Sequence, residues 1–407
     1  MSESVINVHS EVGRLKTVML HRPGKELENL MPDYLEELLF DDIPFLEDAQ
    51  AEHDQFATIL RDNGVEVVYL IDLVAEAIDA SETKSDFIET WLNEANIHSL
   101  AIRELISDFL HNLEDTKSLV AKTIEGFKRS EILTDLTGEE DPAGAFYVNP
   151  MPNLYFTRDP FATIGHGVSL NRMYAKTRQR ETIYGRYIFT HHLEYGNKKT
   201  PIHPALAYEE WIEGGDILVI SEEVMVIGVS QRTQLLGIER LARYLFDTTD
   251  FKQIITMDID KTRKFMHLDT VFTMVDYDKF VIHPEIEVDL KVSILEQQAT
   301  GELTHVVQHE LLDQILAKAL KVPNVTLIRG GDGDAVVAAR EQWNDGANTL
   351  AIAPGEIIVY HRNVTTNRQL MEAGVKLHLV RGSELVRGRG GPRCMSMPLK
   401  REPVKPW

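Results

Sequence analysis

Glu213-Gly214-Gly215-Asp216-Ile217-Leu218-Val219-Ile220, running into Val224-Met225-Val226-Ile227-Gly228-Val229-Ser230-Gln231-Arg232-Thr233, reads as one structural unit. An acidic residue opens an apolar strand, a turn follows, and a second apolar strand returns. Short β-branched runs bounded by turn residues are the strand signal, and the short gap between them makes a hairpin. The same order recurs along the chain. Phe156-Thr157-Arg158-Asp159 leads to Gly167-Val168-Ser169-Leu170-Asn171, and His267-Leu268-Asp269-Thr270-Val271-Phe272-Thr273 to Phe280-Val281-Ile282-His283-Pro284. Asn348-Thr349-Leu350-Ala351-Ile352 leads to Glu356-Ile357-Ile358-Val359-Tyr360-His361-Arg362-Asn363. Lys16-Thr17-Val18-Met19-Leu20-His21-Arg22-Pro23 reads as a further copy.

Amphipathic helices separate these segments, and the spacing is irregular, roughly 50–80 residues, within the range of repeat architectures. Two arrangements are open. One is a generic α/β sheet with ordinary strand-edge polar residues. The other is a propeller-like ring of repeats. In a ring, the residues opening the inner strands face one axis. That would gather Asp159, Glu213, His267 and Asp269 beside Cys394, although they are far apart in sequence.

Residues 74–141 have another texture. Trp91, Leu92, Ile97, Leu100, Ile106, Leu110 and Leu113 recur near three- and four-residue spacing with charges between them, the mark of amphipathic helices. Ser85-Asp86 and Asn93 read as local caps or turns, and Gly138-Glu139-Glu140-Asp141-Pro142 closes the region. We read 74–141 as an α-helical insertion in an α/β body made of 1–73 and 142–407.

The chain has 407 residues, 42 Lys plus Arg against 64 Asp plus Glu, and a net charge of −22. That field repels nucleic acid and anionic membrane and attracts cationic ligands. The N-terminal stretch lacks a basic region followed by an apolar run, so it does not read as a secretory signal. No stretch approaches the ~18 uncharged apolar residues of a spanning helix. A soluble protein of a reducing compartment, with no nucleic-acid or membrane partner, is expected.

Cys394 is the only cysteine. It forms no intrachain disulfide and no Cys-rich metal site, which leaves a small core residue or a nucleophile. It sits in Gly388-Arg389-Gly390-Gly391-Pro392-Arg393-Cys394-Met395-Ser396-Met397-Pro398. Arg389 and Arg393 would raise its thiolate share, and the glycines would let the segment move and approach a ligand. Two other readings compete. His305-Val306-Val307-Gln308-His309 has a helical spacing that would suit zinc, but no glutamate follows the first histidine directly. The single Arg387-Gly388-Arg389-Gly390-Gly391 tract and Gly330-Gly331-Asp332-Gly333-Asp334 imitate RNA- and calcium-binding segments without their supporting residues.

Phe156-Thr157-Arg158-Asp159, Glu213-Gly214-Gly215-Asp216, His267-Leu268-Asp269 and Arg393-Cys394-Met395-Ser396-Met397-Pro398, in this order, resemble the arginine deiminase family of the guanidino-group-modifying (pentein) superfamily. The resemblance covers essentially the whole chain. It implies a five-bladed α/β propeller, and hydrolysis of L-arginine to L-citrulline and ammonia without metal or organic cofactor. It assigns Cys394 as nucleophile, His267 as general acid and base, and Asp159, Asp269 and Glu213 as acids around the guanidinium. Arg178 and Arg232 match carboxylate-binding arginines. Asn153 and Phe156 match further substrate contacts, and Arg389 a basic residue of a mobile covering loop. A homo-oligomer is common in the family. Within the superfamily, an agmatine deiminase or an amidinotransferase is the rival reading.

Overall fold

The structure is a computed structural model that describes residues 4–132, 144–196, 199–203 and 210–404. The hairpins anticipated from the sequence are all present. Ile217–Val219 pairs antiparallel with Val224–Val229, Phe161–Ile164 with Gly167–Leu170, Phe272–Asp276 with Lys279–Ile282, and Leu350–Ala353 with Glu356–Tyr360. The fifth joins the chain's two ends, because Leu15–Leu20 pairs antiparallel with Met397–Arg401.

In each unit, the second hairpin strand then pairs in parallel with a later segment. These partners are Glu66–Tyr69, Gln253–Asp258, Thr326–Arg329 and Lys376–Val380, and in the Phe161 unit a bridge from Val168 to Ile202. A parallel partner requires a crossover, usually a helix. Leu46–Asp62, Thr182–His191, Leu235–Thr248, Leu312–Leu320 and Val364–Glu372 fill that place. Strands covered on both faces read as unbroken apolar runs rather than alternating ones. Val224–Val229, buried throughout, is such a strand. A further hairpin, Lys291–Gln297 with Leu303–Val307, extends the sheet of the Glu213 unit.

Short polar turns stand immediately before the first strand of each hairpin. They hold Asp159, Glu213, His267 with Asp269, Asn348 and Cys394. The turns touch one another. Gly214 N–H donates to Asp159 O at 3.0 Å, Leu268 N–H to Asp216 Oδ1 at 2.8 Å, and Asn348 Nδ2 to Asp269 O at 3.1 Å. Gly214 has no room for a side chain, since a Cβ there would lie 1.9 Å from Arg158 O. The Gly-Gly-Asp turn is therefore set by close backbone approach.

Helices Leu70–Ser81, Lys84–Glu94, Leu100–His111 and Thr116–Glu125 occupy most of the stretch expected to be helical. Ser85, Asp86 and Asn93 lie inside a helix rather than capping one, and Asp86 accepts a hydrogen bond from Tyr187 Oη. The expected closing segment at 138–142 lies outside the described residues. Trp91, Leu119 and Phe127 from this region share one apolar cluster with Met19, Phe161, Ile188 and Met397. The His305–His309 stretch forms no helix face, because Leu303–Val307 is a strand. Among the described residues, no helix is long and apolar enough to cross a membrane.

Phe161 is fully buried and lies against Gly185 of the crossover helix, where a Cβ would come within 2.4 Å of its ring. Phe161→Ala should lower stability by about 3–5 kcal/mol, as for other buried aromatics truncated in a core. Urea unfolding measures this, and a loss below about 1 kcal/mol would contradict the packing described.

Candidate active site

The polar turns converge on Cys394, whose residue is 2% exposed. Its Sγ lies 3.4 Å from Asp269 Oδ2 and 3.1 Å from Asn348 Nδ2. Burial pushes the thiol up, and the carboxylates of Asp269, Asp159 and Asp345 add to this, while Arg393 opposes it. Arg393 thus acts in the expected direction, toward thiolate, but burial and the three carboxylates outweigh it. Arg393 is engaged elsewhere, with Nη1 on Asp269 Oδ2 at 2.8 Å and Nε on Glu11 Oε2 at 3.1 Å. Arg389 stacks over Trp343 at 3.5 Å from the ring centre and faces Asp41.

His267 and Glu213 form the second half of the cluster. Nε2 of the imidazole is 2.7 Å from Glu213 Oε2, and Nδ1 is 3.9 Å from Asp159 Oδ1. Burial alone would lower the His267 pKa. The charges of Asp159, Glu213 and Asp216 and the hydrogen bond to Glu213 more than offset it, raising the imidazole to about 9. Glu213 is fully buried, and burial would raise it. The His267 bond and the Arg232 charge prevail and hold it at about 2. Arg232 Nη1 stands 3.7 Å from Glu213 Oε2. Asp216, behind the pair, is raised to about 6, chiefly by burial.

Asp159 is paired internally. Its Oδ2 accepts from Arg178 Nη1 at 2.7 Å, and the same guanidinium binds Glu181 through Nε and Nη2. Asp159 Oδ1 and Asp269 Oδ1 are buried and have no hydrogen-bond partner among the described residues. Each acid therefore keeps one oxygen free for a further donor. Planar cations with several N–H groups are the natural complement of such carboxylates. The same geometry would also suit an ion, since ligand atoms of Asp159, Glu213 and His267 lie within 4.8 Å of one another. A metal would have to displace the His267 proton, because a ligating imidazole is neutral.

The segment 388–391 is buried. A Cβ on Gly390 would lie 2.3 Å from the Phe156 ring, and one on Gly388 would lie 2.2 Å from Tyr155 Oη. These glycines are required for close packing in this conformation, beyond any role in movement. Arg389 itself adopts φ +64, the left-handed region. Asn153 fastens Leu38 O through Nδ2 at 2.6 Å.

The family model described as Arginine deiminase matches residues 36–401. The chain belongs to the arginine deiminase family. An arginine deiminase of Streptococcus pneumoniae serotype 19F (strain G54) is 55% identical, covering 99% of this chain and 100% of the relative. One of Streptococcus equi subsp. equi (strain 4047) is 54% identical with the same coverage. Among solved structures, the amidinotransferase SxtG of Microseira wollei aligns with a TM-score of 0.56 at 15% identity over 98% of both chains. A dimethylarginine dimethylaminohydrolase in adduct with S-methyl-L-thiocitrulline aligns at 0.54 and 14% identity, over 94% of this chain and 99% of that one. The family member thus shares the α/β fold of those structures.

Of the residues singled out in the sequence, Cys394, His267, Glu213, Asp159 and Asp269 come together, with Arg178 and Arg232 beside them. Asn153 reaches the cluster through its carbonyl, 3.4 Å from Arg178 Nη2, whereas Arg389 is turned to Trp343 and Asp41. Three buried participants in this deiminase-family site escaped the sequence reading: Glu11, Asp345 and Asn348. Asn348 carried a signal, since it opens its repeat as Asp159 and Glu213 open theirs. Glu11 carried none, because its partner Arg393 lies 382 residues away.

The ion pair of His267 and Glu213 yields a signed expectation. Between the ordinary glutamate pKa, ~4.5, and the ordinary imidazole pKa, ~6.5, both groups are charged and paired in the folded state and the pair contributes fully. The His267 part is lost as pH rises through about 9. Toward acid, the Glu213 part is lost as pH falls to about 2. Glu213→Gln should move the His267 titration to lower pH, as read from its ring-proton NMR shift. An unmoved titration would show that Glu213 does not hold the imidazolium.

Proposed function

We propose that this chain hydrolyses L-arginine to L-citrulline and ammonia. The family relationship supports the reaction. The observation carrying the site assignment is the thiol of Cys394, 3.4 Å from Asp269, within the same set of buried turns that holds His267 against Glu213 at 2.7 Å. Resonance spreads the charge of a guanidinium over three nitrogens, so water attacks its carbon slowly. A thiolate divides the task into two smaller barriers.

Asp159 and Asp269 hold the guanidinium in plane through their unpartnered oxygens. The cation also favours the thiolate that the resting site disfavours, so proton loss from Cys394 accompanies binding. The S–H faces Asp269 Oδ2, the nearest proton acceptor. The sulfur adds to the guanidinium carbon, and His267 gives its proton to the departing nitrogen, which leaves as ammonia. The neutral imidazole then takes a proton from water as the oxygen adds to the S-alkylthiouronium. The C–S bond breaks as the added hydroxyl loses its proton to water, citrulline leaves, and the departing thiolate takes back from Asp269 the proton it gave on binding.

Arg232 receives the substrate's α-carboxylate, and Arg178 joins it by releasing Asp159. The two ends of the substrate thus replace the two halves of an internal ion pair, with charge conserved. Phe156 walls the aliphatic stem. Because every reacting side chain is 5% exposed or less, access requires displacement of the segment carrying Arg389.

We read the five hairpin units as blades of one α/β propeller, closed by the pairing of Leu15–Leu20 with Met397–Arg401. The turn-to-turn bonds around Cys394 support that reading. We read 74–141 as the helical insertion, on the helices described as far as residue 132. A single catalytic thiol suits the reducing cytoplasm.

Citrulline and ammonia should appear in equal amounts from L-arginine, none from agmatine, and none with Cys394→Ala. Activity should survive a chelator, and loss of activity would favour the ion reading of the acidic cluster. Product from agmatine but not arginine would move the function to a decarboxylated substrate. Arg232→Ala should raise KM for arginine by about tenfold or more, the size of a lost charged hydrogen bond. An unchanged KM would remove Arg232 from the carboxylate site.

A further inference from the structure

We infer that Asn348 is the positioning residue that orients the Cys394 thiol and holds its sulfur as a hydrogen-bond acceptor. Asn348 is fully buried between two of the polar turns. A carboxamide offers two N–H donors and two acceptor lone pairs, and all four are used. Oδ1 accepts from Gly391 N–H at 3.2 Å and Cys394 N–H at 3.0 Å. Nδ2 donates to Asp269 O at 3.1 Å and to Cys394 Sγ at 3.1 Å.

This network leaves no freedom to turn the amide over. Oδ1 faces two backbone donors, and the opposite orientation would set N–H against N–H. The group pointing at the sulfur is therefore a donor. A donor stabilises the thiolate over the thiol, and hydrogen bonds to a charged partner are the stronger kind. One side chain thus fixes the backbone of 391–394, the carbonyl of Asp269 and the nucleophile in one frame.

The surrounding residues serve this frame. A Cβ on Gly391 would lie 2.9 Å from Asn348 Oδ1, so only glycine lets the amide seat. Asn348 N–H is held by Asp345 O at 3.1 Å. Next to it, Thr349 Oγ1 meets Thr273 Oγ1 at 2.8 Å, tying the turn to the neighbouring unit. The other groups with charge effects on the thiol are Asp269, Asp159 and Asp345, which favour the protonated form, and Arg393, which opposes them. Tyr155 and Tyr360 flank the same region, and Tyr360 Oη donates to Gly390 O. Among these neighbours, Asn348 is the one neutral side chain that donates to the sulfur.

The inference rests on Cys394 being the nucleophile, but its test needs no substrate. Cys394 is the only cysteine, so iodoacetamide labelling of the protein reports on it alone. The two possible roles of Asn348 predict opposite signs. If it only packs, Asn348→Ala hydrates the site, relieves the burial that opposes ionisation, and alkylation accelerates. If it donates to the sulfur, the thiolate loses its partner, and alkylation slows by about tenfold at each pH from about 6 to 10. Faster or unchanged alkylation overturns the inference.

Should the variant fail to fold, wild-type protein labelled with 15N-asparagine decides. One side-chain amide proton should shift downfield as the thiol ionises, and the shift should be absent in Cys394→Ala. An amide that does not respond overturns the assignment. Arginine hydrolysis is assayed separately, so failure of that activity leaves this result readable.

Discussion

Three carboxylates, Asp159, Glu213 and Asp269, are buried within one small region, and a buried charge is tolerated only when paired. The site is organised by that requirement. Arg178 answers Asp159, His267 with Arg232 answers Glu213, and Arg393 answers Asp269. Glu181 and Glu11 then balance the arginines. The result is an alternating array of charges drawn from four of the five units, with the neutral Asn348 from the fifth. Its pKa consequences follow directly: an imidazole raised to about 9 and a glutamate lowered to about 2.

The fold supplies the array by repetition. Each hairpin begins from a turn, and each turn delivers one or two polar side chains to the same place. The apolar strands behind them are interchangeable in chemistry, whereas the turn residues differ. A thiol, an imidazole, an amide and acids thus arrive on equivalent scaffolds. The pairing of Leu15–Leu20 with Met397–Arg401 holds the Cys394 turn in place, so the two ends of the chain and the one thiol are positioned together.

Much of this was legible in the sequence because its signals are local. Strands such as Val224–Val229 announce themselves as continuous apolar runs, and Glu213-Gly214-Gly215-Asp216 as a turn. The helical stretch was equally plain from its periodicity. What escaped depends on pairing across the chain. The bond of Glu11 to Arg393 has no local trace. The protonation of Cys394 depends on such pairing too: its neighbours in sequence, Arg389 and Arg393, are committed to Trp343, Asp41, Glu11 and Asp269, and burial with three carboxylates outweighs the pull of Arg393. His305 sits on a strand because its segment pairs with Lys291–Gln297, a tertiary preference that overrides a helical reading of its spacing.

The central claim is that chemistry passes through a covalent bond to Cys394. The direct measurement is mass analysis of protein quenched in acid during turnover with L-arginine. The account predicts a species heavier by one arginine less one ammonia, located on the peptide containing Cys394 and decaying as substrate is exhausted. Turnover that yields citrulline with no such species at any quench time, together with retained activity in Cys394→Ser, would contradict it.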